Sequence, residues 1–241
     1  MHSSETRRAL ITGASSGIGK ATALAFAQHG FDLALVSRSE SKLAAVAAQA
    51  EASGVMSRPY AIDLAQLDQV KPQLETLLAD FGPIDVLVNN AGMGYTCSLA
   101  DTPLSDWQQV IDLNLTSVFQ CVQAVLPGMR DRQQGLIINV ASIAADQTFP
   151  EWGAYSVSKA GVLALARVLA TEECQHGIRV ATICPGAVNT EIWDTETVNA
   201  DFDRSAMLTP EAVADTILQM ALLPRSAIID KLTLMPSGGT L

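Results

Sequence analysis

The sequence predicts an α/β fold built as one doubly wound parallel sheet of about seven strands, with helices on both faces. Three observations carry this. Seven short apolar runs show little polar alternation, as expected of strands buried on both sides. Longer segments of helical period separate most of them, in β-α-β-α order. The first run ends in a turn with three glycines that opens the first helical segment.

In chain order, the first strand is Ala9-Leu10-Ile11 and the first helix runs from Gly17 to His29. The strand Leu33–Val36 precedes a helix from Glu40 to Ser53. Tyr60-Ala61-Ile62 is the third strand, followed by a helix from Leu67 to Phe81. Val86–Val88 precedes a long helix from Ser105 to Arg130, and Leu136–Val140 precedes one from Gly153 to His176. After the strand Val180–Ile183 comes a stretch of about residues 187–208 without clear period. A connection that long in a compact fold is usually functional, so it reads as a lid. Thr209 is placed to cap the last helix, Pro210–Leu222, with Pro210 at its first position. Ile228–Leu234 is the last strand. No linker, repeat or low-complexity tract interrupts the pattern, so residues 1–241 read as a single domain.

Composition narrows the function classes. With 49% hydrophobic and 17% charged residues, the chain can bury a large core, which argues against disorder. A net charge of −10 leaves no basic footprint for nucleic acid. Polar residues break the apolar stretches every few positions, so no uninterrupted run suits a membrane span. Met1–Arg8 is polar, so no signal peptide is expected and a cytoplasmic location is. Cys97, Cys121, Cys174 and Cys184 lack C-x-x-C spacing and read as reduced structural thiols. His2, His29 and His176 are scattered, so no metal site is expected.

The glycine turn carries the first chemistry. It reads Thr12-Gly13-Ala14-Ser15-Ser16-Gly17-Ile18-Gly19. Gly13 allows the tight turn, Gly17 lets backbone approach a pyrophosphate, and Gly19 lets the helix pack close to the strand. The backbone of Ser15, Ser16, Gly17 and Ile18 would then meet the phosphates at the positive end of the helix dipole. The spacing G-x-x-x-G-x-G resembles that of the classical short-chain dehydrogenases/reductases, single-domain Rossmann-type oxidoreductases. The second strand ends in Ser37-Arg38, where an NAD-selecting carboxylate would stand. A guanidinium can bond a 2′-phosphate that a carboxylate would repel, so NADP(H) is favoured over NAD(H). Relatives that prefer NADP often carry a basic residue just before the second glycine of the turn, where this chain has Ser16.

The resemblance extends along nearly the whole chain. It implies that Asp63-Leu64 meets the adenine, and that Asn90-Ala91-Gly92 lines the cofactor. Pro185-Gly186, the Val188 backbone and the Thr190 hydroxyl would contact the nicotinamide. Tyr155 and Lys159 are four apart on a helix and share a face. Ser142 follows the fifth strand, where ligands of such sheets bind. Together they match the family's Ser-Tyr-Lys triad, and Asn114 matches its fourth catalytic residue. Tyr155 would exchange a proton with the substrate oxygen, Ser142 would stabilise charge there, and Lys159 would hold the nicotinamide ribose. Asn114 would help hold a water in a proton relay behind Lys159. A protonated Lys159 favours the phenolate, so a depressed Tyr155 pKa is expected.

The expected reaction is NADP(H)-dependent reduction of a carbonyl to an alcohol. The alternatives are a dehydrogenase oxidising a 3-hydroxy acid or another secondary alcohol and, more distantly, a non-catalytic dinucleotide sensor. The partner is a small carbonyl or alcohol substrate, with neither nucleic acid nor membrane. The candidate substrate wall is Met93, Ala144, Gln147, Trp152, Ile192 and Trp193. The lid sets Glu191, Asp194, Glu196, Asp201 and Asp203 against a single Arg204, which suits neutral or cationic substrates. Relatives commonly form dimers or tetramers, so a homodimer or homotetramer is expected, with the carboxyl-terminal stretch 235–239 covering a neighbour or the chain's own pocket.

Overall fold

The computed structural model describes residues 6–200 and 203–239. Asp201 of the acidic stretch, and His2 with the rest of residues 1–5, fall outside that range.

The strands β1 (Arg8–Thr12), β2 (Asp32–Ser37), β3 (Ser57–Ala61), β4 (Val86–Asn89), β5 (Gly135–Val140), β6 (Ile178–Pro185) and β7 (Lys231–Leu234) form one sheet. Its order is β3-β2-β1-β4-β5-β6-β7, and every pairing is parallel. The helices are α1 (Gly17–Gln28), α2 (Glu40–Glu51), α3 (Leu67–Phe81), α4 (Leu104–Ile111), α5 (Ser117–Asp131), α6 (Gly153–Glu173) and α7 (Pro210–Leu222). Side chains of a strand alternate between faces, and each face has its own core. Ile11, Leu35, Val88 and Ile138 pack with α1, α2 and α7. Leu10, Val36, Leu87 and Ile137 pack with α3, α5 and α6. The strand order reverses between β1 and β4, and that crevice places a ligand beyond their carboxyl ends.

Several boundaries differ from expectation for identifiable reasons. The third strand begins at Ser57, not Tyr60. Its apolar signal is weak because it is the edge strand, which also explains how it tolerates Pro59. The last strand is only Lys231–Leu234, and Ile228 is exposed. The helix from Gly153 ends at Glu173; Cys174–His176 is a 3-10 turn closed by Gly177 at φ +68°. The long helix expected over Ser105–Arg130 is interrupted by a π-helical turn, Asp112–Thr116, which joins α4 to α5. The joined run Leu104–Asp131 is long and apolar enough, by composition, to cross a membrane. Here its α5 part buries Val118, Cys121, Val122, Val125 and Met129 inside the protein. Thr209 and Pro210 behave as expected: the Thr209 hydroxyl accepts the Ala212 N–H at 3.2 Å.

Candidate active site

The carboxyl ends of the strands border a cleft of about 560 Å³. Gly13 (φ +66°) and Gly17 (φ +50°) form its glycine turn in backbone conformations that side chains rarely adopt. A Cβ at Gly13 would stand 2.8 Å from the Asn90 amide nitrogen. Gly19 does not line the cleft; a Cβ there would run into the Gly13 carbonyl, so its role is the close packing expected of it. Ser16 precedes α1 without capping it through its side chain, which leaves the first-turn N–H groups to face the cleft. Thr12, to which the sequence reading gave no role, ties this turn to β4. Its hydroxyl accepts the N–H groups of Asn90 and Ala91, both at 3.0 Å, and donates to the Val88 carbonyl at 3.3 Å. Asn90 returns the tie, its amide donating to the Thr12 and Gly13 carbonyls at 3.0 and 3.3 Å.

At the β2 end, Ser37, Arg38, Asp63 and Leu64 line the cleft as expected. The Ser37 hydroxyl is buried and has no hydrogen-bond partner within the described protein. A buried hydroxyl without a partner is costly, and a ribose or phosphate oxygen would satisfy it. Lys42 was missed by the sequence reading. It stands four residues after Arg38, in the first turn of α2, and lines the same end. Two cations there fit a 2′-phosphate that Ser16 could not pair. The residues present therefore fit a phosphorylated dinucleotide.

Ser142, Tyr155 and Lys159 converge on the middle of the cleft. Ser142 caps the short 3-10 turn Ile143–Ala145, its hydroxyl accepting the Ala144 N–H at 3.1 Å. Tyr155 sits in the first turn of α6, and Lys159 one turn on. The Lys159 ammonium donates to the Val140 carbonyl at 3.0 Å and lies 5.7 Å from the centre of the Tyr155 ring. Burial pushes the Lys159 pKa down to about 8. The expected depression of the Tyr155 pKa is reversed in this structure. Burial pushes the phenol up, and the Ser142 hydroxyl opposes it only in part. Both groups share a medium that penalises charge, and burial is the larger cause of each shift.

Asn114 does not border the cleft. It is fully buried in the π-helical turn, where its carbonyl accepts the Met93 N–H at 2.8 Å. Its amide donates to the Met93 carbonyl at 3.0 Å and to the Ser158 hydroxyl at 3.1 Å. It thus joins the loop after β4 to α6, next to Gly92.

The third side of the cleft is the long connection after β6. Pro185, Gly186, Val188, Thr190, Ile192 and Trp193 line it. Arg204 is no free surface charge: it donates to the Asn189 side chain at 2.8 Å, the Thr190 carbonyl at 2.8 Å and the Asp194 carboxylate at 2.6 Å. Of the expected substrate wall, Met93, Ala144, Trp152, Ile192 and Trp193 line the cleft, while Gln147 is exposed outside it. Phe149 lines it too and was missed, because the irregular segment 146–152 carries no periodicity to point its side chains.

The short chain dehydrogenase family model matches residues 7–201. The 3-oxoacyl-[acyl-carrier-protein] reductase of Synechocystis sp. is 40% identical over 238 residues, 96% of this chain and 95% of that one. Its counterpart from Thermotoga maritima is 36% identical over 223 residues, 90% of this chain and 91% of that one. Among solved structures, an alcohol dehydrogenase from the archaeon Thermococcus sibiricus, complexed with 5-hydroxy-NADP, superposes with a TM-score of 0.88. It is 29% identical, with 97% of both chains covered. A metagenomic short-chain oxidoreductase in complex with NADP gives 0.84 at 30% identity, covering 96% of this chain and 97% of that one. Sequence motifs, sheet order and these likenesses agree: the chain belongs to the short-chain dehydrogenase family, oxidoreductases that interconvert carbonyl and alcohol groups.

Proposed function

We propose that this chain reduces a carbonyl compound with NADPH, and that Tyr155 delivers the proton to the substrate oxygen. The observation that carries this reading is the convergence of Ser142, Tyr155 and Lys159 on one cleft that also presents the glycine turn and Arg38. Bound NADPH supplies hydride to the carbonyl carbon. The oxygen then gains charge, which Ser142 stabilises by hydrogen bonding and Tyr155 neutralises by proton transfer. Lys159 uses one donor on the Val140 carbonyl and keeps others for the ribose hydroxyls of the nicotinamide half. Asn114 acts at one remove, holding Met93 and Ser158 so that Gly92 and α6 keep their places. Val188 and Thr190 fix the nicotinamide amide, and Asp63 meets the adenine.

The preference for NADP(H) rests on Arg38, Lys42 and the Ser37 hydroxyl at one end of the cleft. Two solved relatives are complexes with NADP or 5-hydroxy-NADP, which supports the same reading. A second reading of the substrate, a 3-oxoacyl thioester, has the names of the curated relatives behind it. We further place the chain in the cytosol, as a homodimer or homotetramer, with residues 187–208 as a lid. Its four cysteines are free.

The test is a panel of carbonyl compounds read by absorbance loss with NADPH and with NADH. Tyr155→Phe should lower turnover by about 10² to 10⁴ while NADPH binding is kept, the usual range for a lost general acid. Arg38→Asp should weaken NADPH more than NADH. Equal weakening of both would undo the cofactor assignment. Faster oxidation of secondary alcohols than reduction of any carbonyl, at matched pH, would favour the dehydrogenase alternative.

A further inference from the structure

Beyond the reacting hydroxyl, the cleft is walled by aromatic rings on loops that are tied to one another. Three aromatic rings lead away from Ser142. Tyr155 meets Trp152 edge to face, centroids 5.2 Å apart, and Trp152 meets Trp193 in the same manner at 5.8 Å. Trp193 is held in turn by its indole N–H, which donates to the Val188 carbonyl at 2.7 Å. Phe149, Met93 and Ile192 add apolar wall.

The three loops that carry Met93, Trp152 and Ile192 are tied to one another. The Thr96 N–H donates to the Thr197 carbonyl at 2.9 Å, and the Asn199 N–H donates to the Thr96 hydroxyl at 2.7 Å. The Thr197 hydroxyl donates to the Gly94 carbonyl at 2.8 Å. On the other side, the Cys97 N–H donates to the Glu151 carbonyl at 2.8 Å, and Cys97 pairs with Trp152 as an isolated bridge. Glu151 holds the left-handed conformation, φ +66°, a strain that persists only where the surroundings enforce it. The contact at Gly94 is so close that a Cβ there would stand 2.6 Å from Val198.

Charge is arranged to match. Among the described residues that line the cleft, the cations are Arg38, Lys42 and Lys159. The first two stand at the β2 end, and the third is engaged with the Val140 carbonyl beneath the reacting centre. Among the described residues, no cation lines the aromatic side, and Glu151 and Glu196 are exposed on the loops that carry Trp152 and Thr195. A carboxylate entering there would be desolvated without a cation of its own.

We propose that Trp152 and Trp193 are specificity-determining residues. They wall the cleft around a compact, uncharged, ring-bearing carbonyl compound, an aryl or alicyclic ketone, and disfavour long acyl chains and carboxylates. Flat rings gain from edge-to-face contact with the two indoles, beyond the burial of their area. The ties among the loops hold the two indoles in place, and a long acyl chain gains nothing from edge-to-face contact with them. This inference rests on the carbonyl-reductase reading above.

The experiment compares kcat/KM with NADPH for an aryl ketone, the same ketone bearing a ring carboxylate, an alicyclic ketone, and a short and a long 3-oxoacyl thioester. The enzymes are wild type, Trp152→Ala, Trp193→Ala and Trp193→Phe. In the wild type, the neutral ring ketones should exceed the carboxylated one and the long thioester by at least about tenfold, equivalent to about 1.4 kcal/mol. Each alanine variant should lose about tenfold on ring ketones, mostly in KM, and gain on the long thioester. Trp193→Phe should restore most of the ring preference. Should Trp152→Ala fail to fold, the two Trp193 variants carry the same comparison. A wild type that prefers the carboxylated ketone or the long thioester overturns the substrate class and leaves the activity standing. So does a ranking that neither tryptophan alters. A protein that binds NADPH and reduces nothing in the panel overturns the activity reading itself, and this inference with it.

Discussion

Tyr155 and Lys159 share one poorly hydrated site, and each is pushed toward its neutral form. The phenol is raised above its ordinary pKa and the ammonium lowered to about 8. Lys159 therefore costs stability at neutral pH. Between about pH 8 and its ordinary pKa near 10.5, the unfolded chain binds more protons than the native one, so stability rises with pH across that window. The penalty is fully present below pH 8 and relieved above the ordinary value. Removing the charge with Lys159→Met should stabilise the free protein at pH 7 by roughly 3 kcal/mol, the equivalent of the fall from 10.5 to about 8. The lost bond to the Val140 carbonyl offsets about 1 kcal/mol of this. Turnover should be lost. Urea unfolding at pH 7 and pH 10 checks the sign: the gain must shrink at the higher pH, and a constant gain would point to packing instead of charge.

At the scale of elements, the break between α4 and α5 is the informative feature. Asn114 stands in the π-helical turn with its three hydrogen bonds directed at Met93 and Ser158. Asn114→Ala would leave a buried N–H, a carbonyl and a hydroxyl short of partners. The expected cost is about 3 kcal/mol. Circular dichroism melts would show it, together with a fall in kcat at saturating NADPH because the loop carrying Gly92 is released. A variant with wild-type stability and wild-type kcat would deny Asn114 the bridging role. The π-helical turn could not be read from periodicity, because its partners lie 21 and 44 residues away in sequence. The helices α3 and α7, by contrast, were legible to the residue, since an apolar stripe and a terminal cap are local signals.

The whole molecule leaves apolar side chains outside its two cores. Leu104, Phe119 and Val168 are 79%, 44% and 53% exposed on α4, α5 and α6. If these side chains form one contiguous apolar patch, it marks an association surface. Light scattering should give a mass of two or four chains. Phe119→Lys with Val168→Glu should reduce it toward one without loss of helical signal. A wild-type protein that is monomeric at micromolar concentration contradicts the assembly.

By itself, the sequence determined the parallel sheet, the order of its helices, the glycine turn and the placing of Tyr155 one helical turn from Lys159. Those features are written in short-range patterns: period, caps, glycines where a side chain cannot fit, and the four-residue step from Tyr155 to Lys159. Tertiary structure alone decided the rest. It enclosed Tyr155 so that its pKa rises, and it tied residues 94–97, 151–152 and 195–199 together around two tryptophans. Desolvation and long-range hydrogen bonds depend on which segments meet in space, and no local run of residues records that meeting.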